Sequence, residues 1–145
     1  MIRKAKIDDF AQVAVLMAEL WPDNTPEELL EELYLSDAEN CAFFLAEEEA
    51  VPYGFAQCQL RHDYVEGTEH SPVGYLEGVF VRKPYRGRGV AKSLLRACEN
   101  WAAEQGCEEF ASDCELDNTD SLAFHLSAGF KEANRVICFT KKLNR

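Results

Sequence analysis

Two groups of residues in this chain sit where they could do chemistry: a basic, glycine-rich turn and two carboxylates beside it. The turn is Arg86-Gly87-Arg88-Gly89-Val90-Ala91-Lys92, between an apolar run ending at Val81 and a stretch with helical spacing. A strand that crosses such a turn into a helix aims unpaired first-turn amides at one point. The helix dipole favours an anion at that point. Gly87 and Gly89 bring no Cβ to it and permit positive φ. Arg86, Arg88 and Lys92 add charge, and a guanidinium can grip phosphate with two parallel hydrogen bonds. The expected chemistry is phosphate binding. The plainer alternative is a β-to-α turn that uses Gly and Arg to turn and stay soluble.

Glu77 stands alone in Tyr75-Leu76-Glu77-Gly78-Val79-Phe80-Val81. Burying an unpaired carboxylate is costly, so Glu77 either faces a wet cleft or is paired. Asp113 closes a second run, Phe110-Ala111-Ser112-Asp113, where it is either a site carboxylate or a loop cap. His125 lies in an expected helix, and a histidine there can donate a proton or be structural.

The better-known phosphate loops do not fit. A Walker loop needs G-x-x-x-x-G-K-[ST], and a dinucleotide fingerprint needs a third glycine where Lys92 stands. What does fit is Arg86-x-x-Gly89-x-Ala91, which resembles the acetyl-coenzyme A signature [RQ]-x-x-G-x-[GA] of the GCN5-related N-acetyltransferases. The resemblance runs over nearly the whole chain and includes the terminal Gly129-Phe130. It implies an α/β (α+β) acyl-CoA N-acyltransferase fold, a mixed central sheet flanked by helices in the order β-α-α-β-β-β-α-β-α-β, as one domain over residues 1–145. It implies that the turn from Arg86 to Lys92 holds the coenzyme A pyrophosphate. It also implies that the strand carrying Val79 and Val81 splays from its neighbour and pairs with the pantetheine arm, which Asn118 contacts. Asn118 could equally be the cap of the helix that follows. Many members carry a tyrosine acid at the position of His125, so this chain departs from the pattern there.

Further stretches resemble the aminoglycoside 6'-N-acetyltransferases: Glu19-Leu20-Trp21-Pro22, Arg61-His62-Asp63-Tyr64-Val65-Glu66-Gly67, Leu76-Glu77-Gly78 and Ala111-Ser112-Asp113. By that resemblance Trp21, Tyr64, Glu77 and Asp113 line the acceptor pocket. The chemistry agrees, since aromatic faces pack on sugar rings and attract ammonium groups while carboxylates pair with amines. The expected reaction is direct acetyl transfer from acetyl-coenzyme A to a primary amine, with Glu77, Asp113 and His125 as candidates for proton transfer. A polyamine, a small metabolite or a protein lysine are alternative acceptors, and a non-catalytic coenzyme A sensor is a further reading. The resemblance also implies a homodimer.

These residues need elements to position them. Residues 2–6 read as a short strand, followed by a helix capped by Asp8 or Asp9 with Phe10, Val13, Leu16, Met17 and Leu20 on one face. Thr25-Pro26-Glu27-Glu28 is a capping box that opens a second helix through Leu35. Residues 41–47 and 53–61 read as antiparallel strands joined by the acidic turn 48–52, and 75–81 as a buried strand. A helix from Gly89 carries Val90, Leu94, Leu95, Cys98 and Trp101 on one stripe and stops at Gly106. A strand over 109–113, a helix ending at Ala128, and one long strand or bent pair over 131–143 complete the reading.

Composition narrows the classes. With 145 residues, 47% of them hydrophobic, the chain can build one core. A net charge of −11 is the wrong sign for nucleic acid and favours cationic ligands. Six cysteines without a C-x-x-C pair argue against structural zinc, so no metal is expected. No apolar run approaches the roughly 20 residues that span a bilayer, and the start lacks a signal-peptide core. The expectation is a cytoplasmic protein that meets no membrane and takes a cationic small molecule.

Overall fold

The computed structural model describes residues 1–144, which divide into a unit over Met1–Asp113 and a second beginning at Cys114. The first holds strands β1 (Ile2–Lys4), β2 (Cys41–Glu48), β3 (Val51–Arg61), β4 (Val73–Val81) and β5 (Phe110–Ser112). It also holds helices α1 (Phe10–Leu20), α2 (Pro26–Leu35) and α3 (Val90–Glu104). The strands lie in the order β1-β2-β3-β4-β5, antiparallel except for the parallel β4–β5 pair. The mixed sheet expected from sequence is therefore present.

Helices α1 and α2 bury Val13, Leu16, Met17, Leu29 and Leu33 against Phe43, Leu45 and Phe55 of the sheet. Helix α3 buries Leu94, Leu95, Cys98 and Trp101, the stripe legible in its spacing. The capping box of α2 forms as expected: the Glu28 amide donates to Thr25 Oγ1 at 3.2 Å, and the Glu28 carboxylate accepts from the Thr25 amide. The β2–β3 turn is tighter than expected, with both strands running to Glu48 and Val51. Glu49 and Ala50 take positive φ between them. That backbone matches the twist of a two-residue hairpin.

Two expectations are corrected. Neither Asp8 nor Asp9 caps α1; a 3₁₀ turn over Ile7–Asp9 precedes it, and Asp9 makes no side-chain cap bond to the helix. The Arg3 guanidinium competes for that carboxylate, donating to both Asp9 oxygens at 2.8 Å and to Glu47 at 2.7 Å. This charged fork is stronger than a neutral cap bond. The second unit forms one helix, α4 (Thr119–Ser127), but residues 131–144 form no strand. A strand needs a partner for its backbone hydrogen bonds, and no described strand pairs with this segment.

β4 carries the irregularity that matters most. Cys58 lies opposite Leu76, but its neighbour Gln57 lies opposite Gly78, so Glu77 is the extra residue of a β-bulge. The parallel ladder to β5 stops at the same point, with Leu76 paired to Ser112 as its last rung. A bulge bends a strand and re-aims its side chain. Below it, Gly74 faces Ala102 of α3; above it, Gly78 faces Leu20 and the Trp21 ring.

Two outcomes follow from this packing. Arg3, aided by the Lys6 amide, lowers the Asp9 carboxyl from its ordinary value of 3.8 to about 2. A folded-state value below the unfolded one gives stability that is present above about pH 4 and lost as the pH falls towards 2. Asp9→Asn is expected to cost about 1–2 kcal/mol at neutral pH and to flatten that acid limb, read by urea denaturation across the range. An unchanged acid limb would contradict it. At position 78, an added Cβ would lie 2.7 Å from the Trp21 ring. Gly78→Ala should destabilise by about 1–3 kcal/mol and shift tryptophan fluorescence.

Candidate active site

The turn after β4 is built from its own basic residues. Pro84 sits in a 3₁₀ turn over Lys83–Tyr85, and Arg86 follows in extended conformation. Arg86 Nε donates to the Val81 carbonyl at 2.7 Å, which pins the end of β4 to the turn. Arg86 thus shapes the loop as well as charging it. Gly87 and Gly89 have φ of +81° and +76°, and a Cβ at either would meet no atom within 4 Å. Their requirement is conformational, and the space around them is open. No side chain caps α3. The amides of Val90, Ala91 and Lys92 lie in its first turn, where geometry gives them no acceptor within the helix. Arg88 lies 5.5 Å from the Tyr85 ring, which stacks on Tyr53 at 4.0 Å. The result is an uncapped, glycine-lined, cationic helix start suited to a phosphate.

Beyond Leu76, Val79 and Val81 pair with Ala56 and Gly54 of β3 but with nothing in β5. This half of β4 has a backbone edge with no strand beside it, running from the bulge to the phosphate turn. Such an edge can accept an extended ligand through main-chain hydrogen bonds.

At the other end of that edge is a cavity of about 320 Å³ whose wall includes Trp21, Asn24, Glu32, Gln57 and Glu77. Trp21 closes α1 and meets Phe55 edge-on at 6.0 Å, so it serves the core and the cavity together. Glu77 is paired: Arg61 Nη2 donates to its Oε1 at 2.7 Å. The Arg61 guanidinium also lies flat over Tyr75, its carbon 3.4 Å from the ring centroid. The Tyr75 hydroxyl donates to Asp113 Oδ2. Burial and this carboxylate raise the Tyr75 phenol well above its ordinary value, so it stays a neutral donor. Glu77, Arg61, Tyr75 and Asp113 therefore form one connected set.

Other sequence-derived candidates fall elsewhere. Tyr64 is 76% exposed and does not line the cavity. Its loop is tied down by Glu109 Oε1, which accepts from the Glu69 and His70 amides and from His70 Nδ1, each at 2.8 Å. Within the second unit, Asn118 caps α4 by accepting from the Ser121 amide at 3.1 Å, which is the simpler of its two readings. His125 Nδ1 donates to the Ser121 carbonyl at 2.7 Å, which ties the ring to the first turn of α4. Sequence reasoning had no role for Arg61 or Tyr75. Their partners are fixed by strand register and by the bulge, and neither is a local signal.

The comparisons with known proteins point the same way. Residues 8–130 match the family model described as the acetyltransferase (GNAT) family. An aminoglycoside N(6')-acetyltransferase type 1 from Stenotrophomonas maltophilia is 43% identical, over 98% of this chain and 93% of the relative. One of the same description from Salmonella typhimurium is 41% identical over 88% of each chain. Among solved structures, the aminoglycoside N-acetyltransferase AAC(6')-Iy in complex with coenzyme A superposes with a TM-score of 0.93 at 38% identity, over 99% of this chain and 95% of that one. The same enzyme with the bisubstrate analogue CoA-S-monomethyl-acetylneamine gives a TM-score of 0.90, over 99% and 98%. With its phosphate turn, its open strand edge and a family match over most of its length, the chain belongs to the GNAT family of acetyltransferases.

Proposed function

We propose that the protein transfers the acetyl group of acetyl-coenzyme A to a primary amine of an aminoglycoside, the 6'-amine, by direct attack in a ternary complex. The observation that carries this reading is the break in β4. One strand has a phosphate turn at its end, an unpaired edge before it, and a carboxylate beside a tryptophan-walled cavity where the edge begins. The relatives described as aminoglycoside N(6')-acetyltransferases, and the one solved with a coenzyme A–aminoglycoside analogue, support the choice of substrates.

In this mechanism the pyrophosphate lies against the amides of residues 87–92, with Arg88 and Lys92 supplying charge. The pantetheine arm pairs along β4 at Val79 and Val81, which brings the thioester towards the bulge. The acceptor packs a sugar ring on Trp21 and sets its ammonium groups against Glu77 and Asp113. The reacting amine gives its proton to Glu77, or to a water that Glu77 holds. Its lone pair attacks the thioester carbon, the C–N bond forms and the C–S bond breaks, and the second proton shed by the new amide nitrogen passes through water to the departing thiolate. His125 is given no step.

Among the described residues no helix is long and apolar enough to cross a membrane. The proposed place of action is the cytoplasm, where acetyl-coenzyme A is held, and the proposed consequence is antibiotic resistance. The proposed assembly is a homodimer. It is supported by Val136, Ile137, Phe139 and Leu143, which are 71–86% exposed in one segment and would be covered by a second copy.

The purified protein should acetylate kanamycin-type aminoglycosides, and expression should raise the dose that stops bacterial growth. Absence of turnover would contradict the substrate. Glu77→Gln should lower kcat about a hundredfold and leave the KM for acetyl-coenzyme A unchanged, read by steady-state thiol release. Light scattering should give twice the 16.4 kDa chain mass, and Phe139→Glu should shift it towards one chain. A monomeric unsubstituted protein would contradict the assembly.

A further inference from the structure

The pairing of Glu77 has a consequence for how the acceptor is held. Arg61, the last residue of β3, bonds Glu77 end-on: one guanidinium nitrogen meets Oε1 at 2.7 Å. Oε2 has no hydrogen-bond partner among the described residues. The Arg61 and Glu77 side chains are 36% and 25% exposed. An ion pair this wet contributes only about 0–1 kcal/mol to folding. It nevertheless fixes a side chain whose last torsion is otherwise broad. The guanidinium is itself held, because it stacks on Tyr75, and Tyr75 is tied through its hydroxyl to Asp113.

We infer that Arg61 is the positioning residue of the acceptor site. It clamps one oxygen of Glu77 and leaves the other to receive the acceptor ammonium. Through the Tyr75 ring it keeps Asp113 in the same arrangement. This deepens the aminoglycoside acetyltransferase reading and rests on it. There is a second effect of charge. A carboxylate shared with a guanidinium holds an ammonium less tightly than a lone carboxylate would. The amine must shed its positive charge before it attacks, so weaker ground-state holding lowers the cost of that step. A lysine at position 61 would supply charge without the flat face that stacks on Tyr75 or the fixed fork.

The test compares the unsubstituted protein, Arg61→Ala and Arg61→Lys on kanamycin, with and without millimolar guanidinium chloride, and follows thermal unfolding in parallel. For Arg61→Ala the acceptor kcat/KM should fall about tenfold or more, as expected when a reacting group is misplaced. The KM for acetyl-coenzyme A should not move. Added guanidinium should restore part of the lost activity in Arg61→Ala and none in the unsubstituted protein, and Arg61→Lys should lie between the two. Unchanged acceptor kinetics in Arg61→Ala would overturn the inference. So would a loss that guanidinium leaves unrestored, whether or not the melting temperature falls. An unsubstituted protein inactive on aminoglycosides would instead contradict the substrate reading.

Discussion

The structure depends on β4 having more residues than its neighbours can pair. Glu77 is one residue too many for the ladder with β3, and the ladder with β5 ends one residue earlier, at Leu76. From there to Val81 a strand inside the sheet has one edge with no strand beside it. Backbone groups left bare in this way are costly unless something pairs with them. In the proposed mechanism the pantetheine arm does so. The bulge also changes which face of β4 meets which helix, so Gly78 comes against Trp21 and Glu77 comes to the cavity. A regular strand would carry the same residues in another alternation and close the gap to β5.

Charge divides the site along the same strand. The chain carries a net charge of −11, yet its phosphate turn is basic. Part of that basic set is structural. Arg82 pairs with Glu19 at 2.7 Å, and Arg86 holds the Val81 carbonyl. Arg88 and Lys92 make no described ion pair, so their charge remains for an anion. At the bulge the balance reverses. Glu77 and Glu32 line the cavity, while Asp113 is held off it by the Tyr75 hydroxyl. Among the described residues only the guanidinium of Arg61 is paired with Glu77, which suits an acceptor with several ammonium groups.

Much of this was legible in the sequence, and the reason is locality. The turn declares itself through glycines that need positive φ and a helix start without a cap. The box at Thr25 and the stripe on α3 are likewise set by spacing along one element. Glu77 could be singled out because it is the odd residue in its run, and Trp21 through the family resemblance of the stretch around it. What was missed depends on register. Arg61 and Tyr75 meet Glu77 and Asp113 only once β3, β4 and β5 are aligned, and the bulge that aligns them has no local signature. Asp9 looked like a helix cap until Arg3, on a neighbouring strand, offered a stronger partner. The apolar run at Val136, Ile137, Cys138 and Phe139 suggested a strand over residues 131–143, but none of the described strands pairs with it. Asn118 had two readings, and the cap is the one its geometry shows.

The central claim is that one opening in the sheet receives both substrates end to end, the donor along β4 and the acceptor at Glu77. Calorimetric binding of a bisubstrate in which coenzyme A is joined through sulfur to the 6'-nitrogen of an aminoglycoside tests this most directly. If the two subsites are contiguous, the joined ligand should bind at least about a hundredfold more tightly than coenzyme A alone, because its second half binds at high effective concentration. An affinity no better than that of coenzyme A would mean that the acceptor does not sit at Glu77, and would contradict the account.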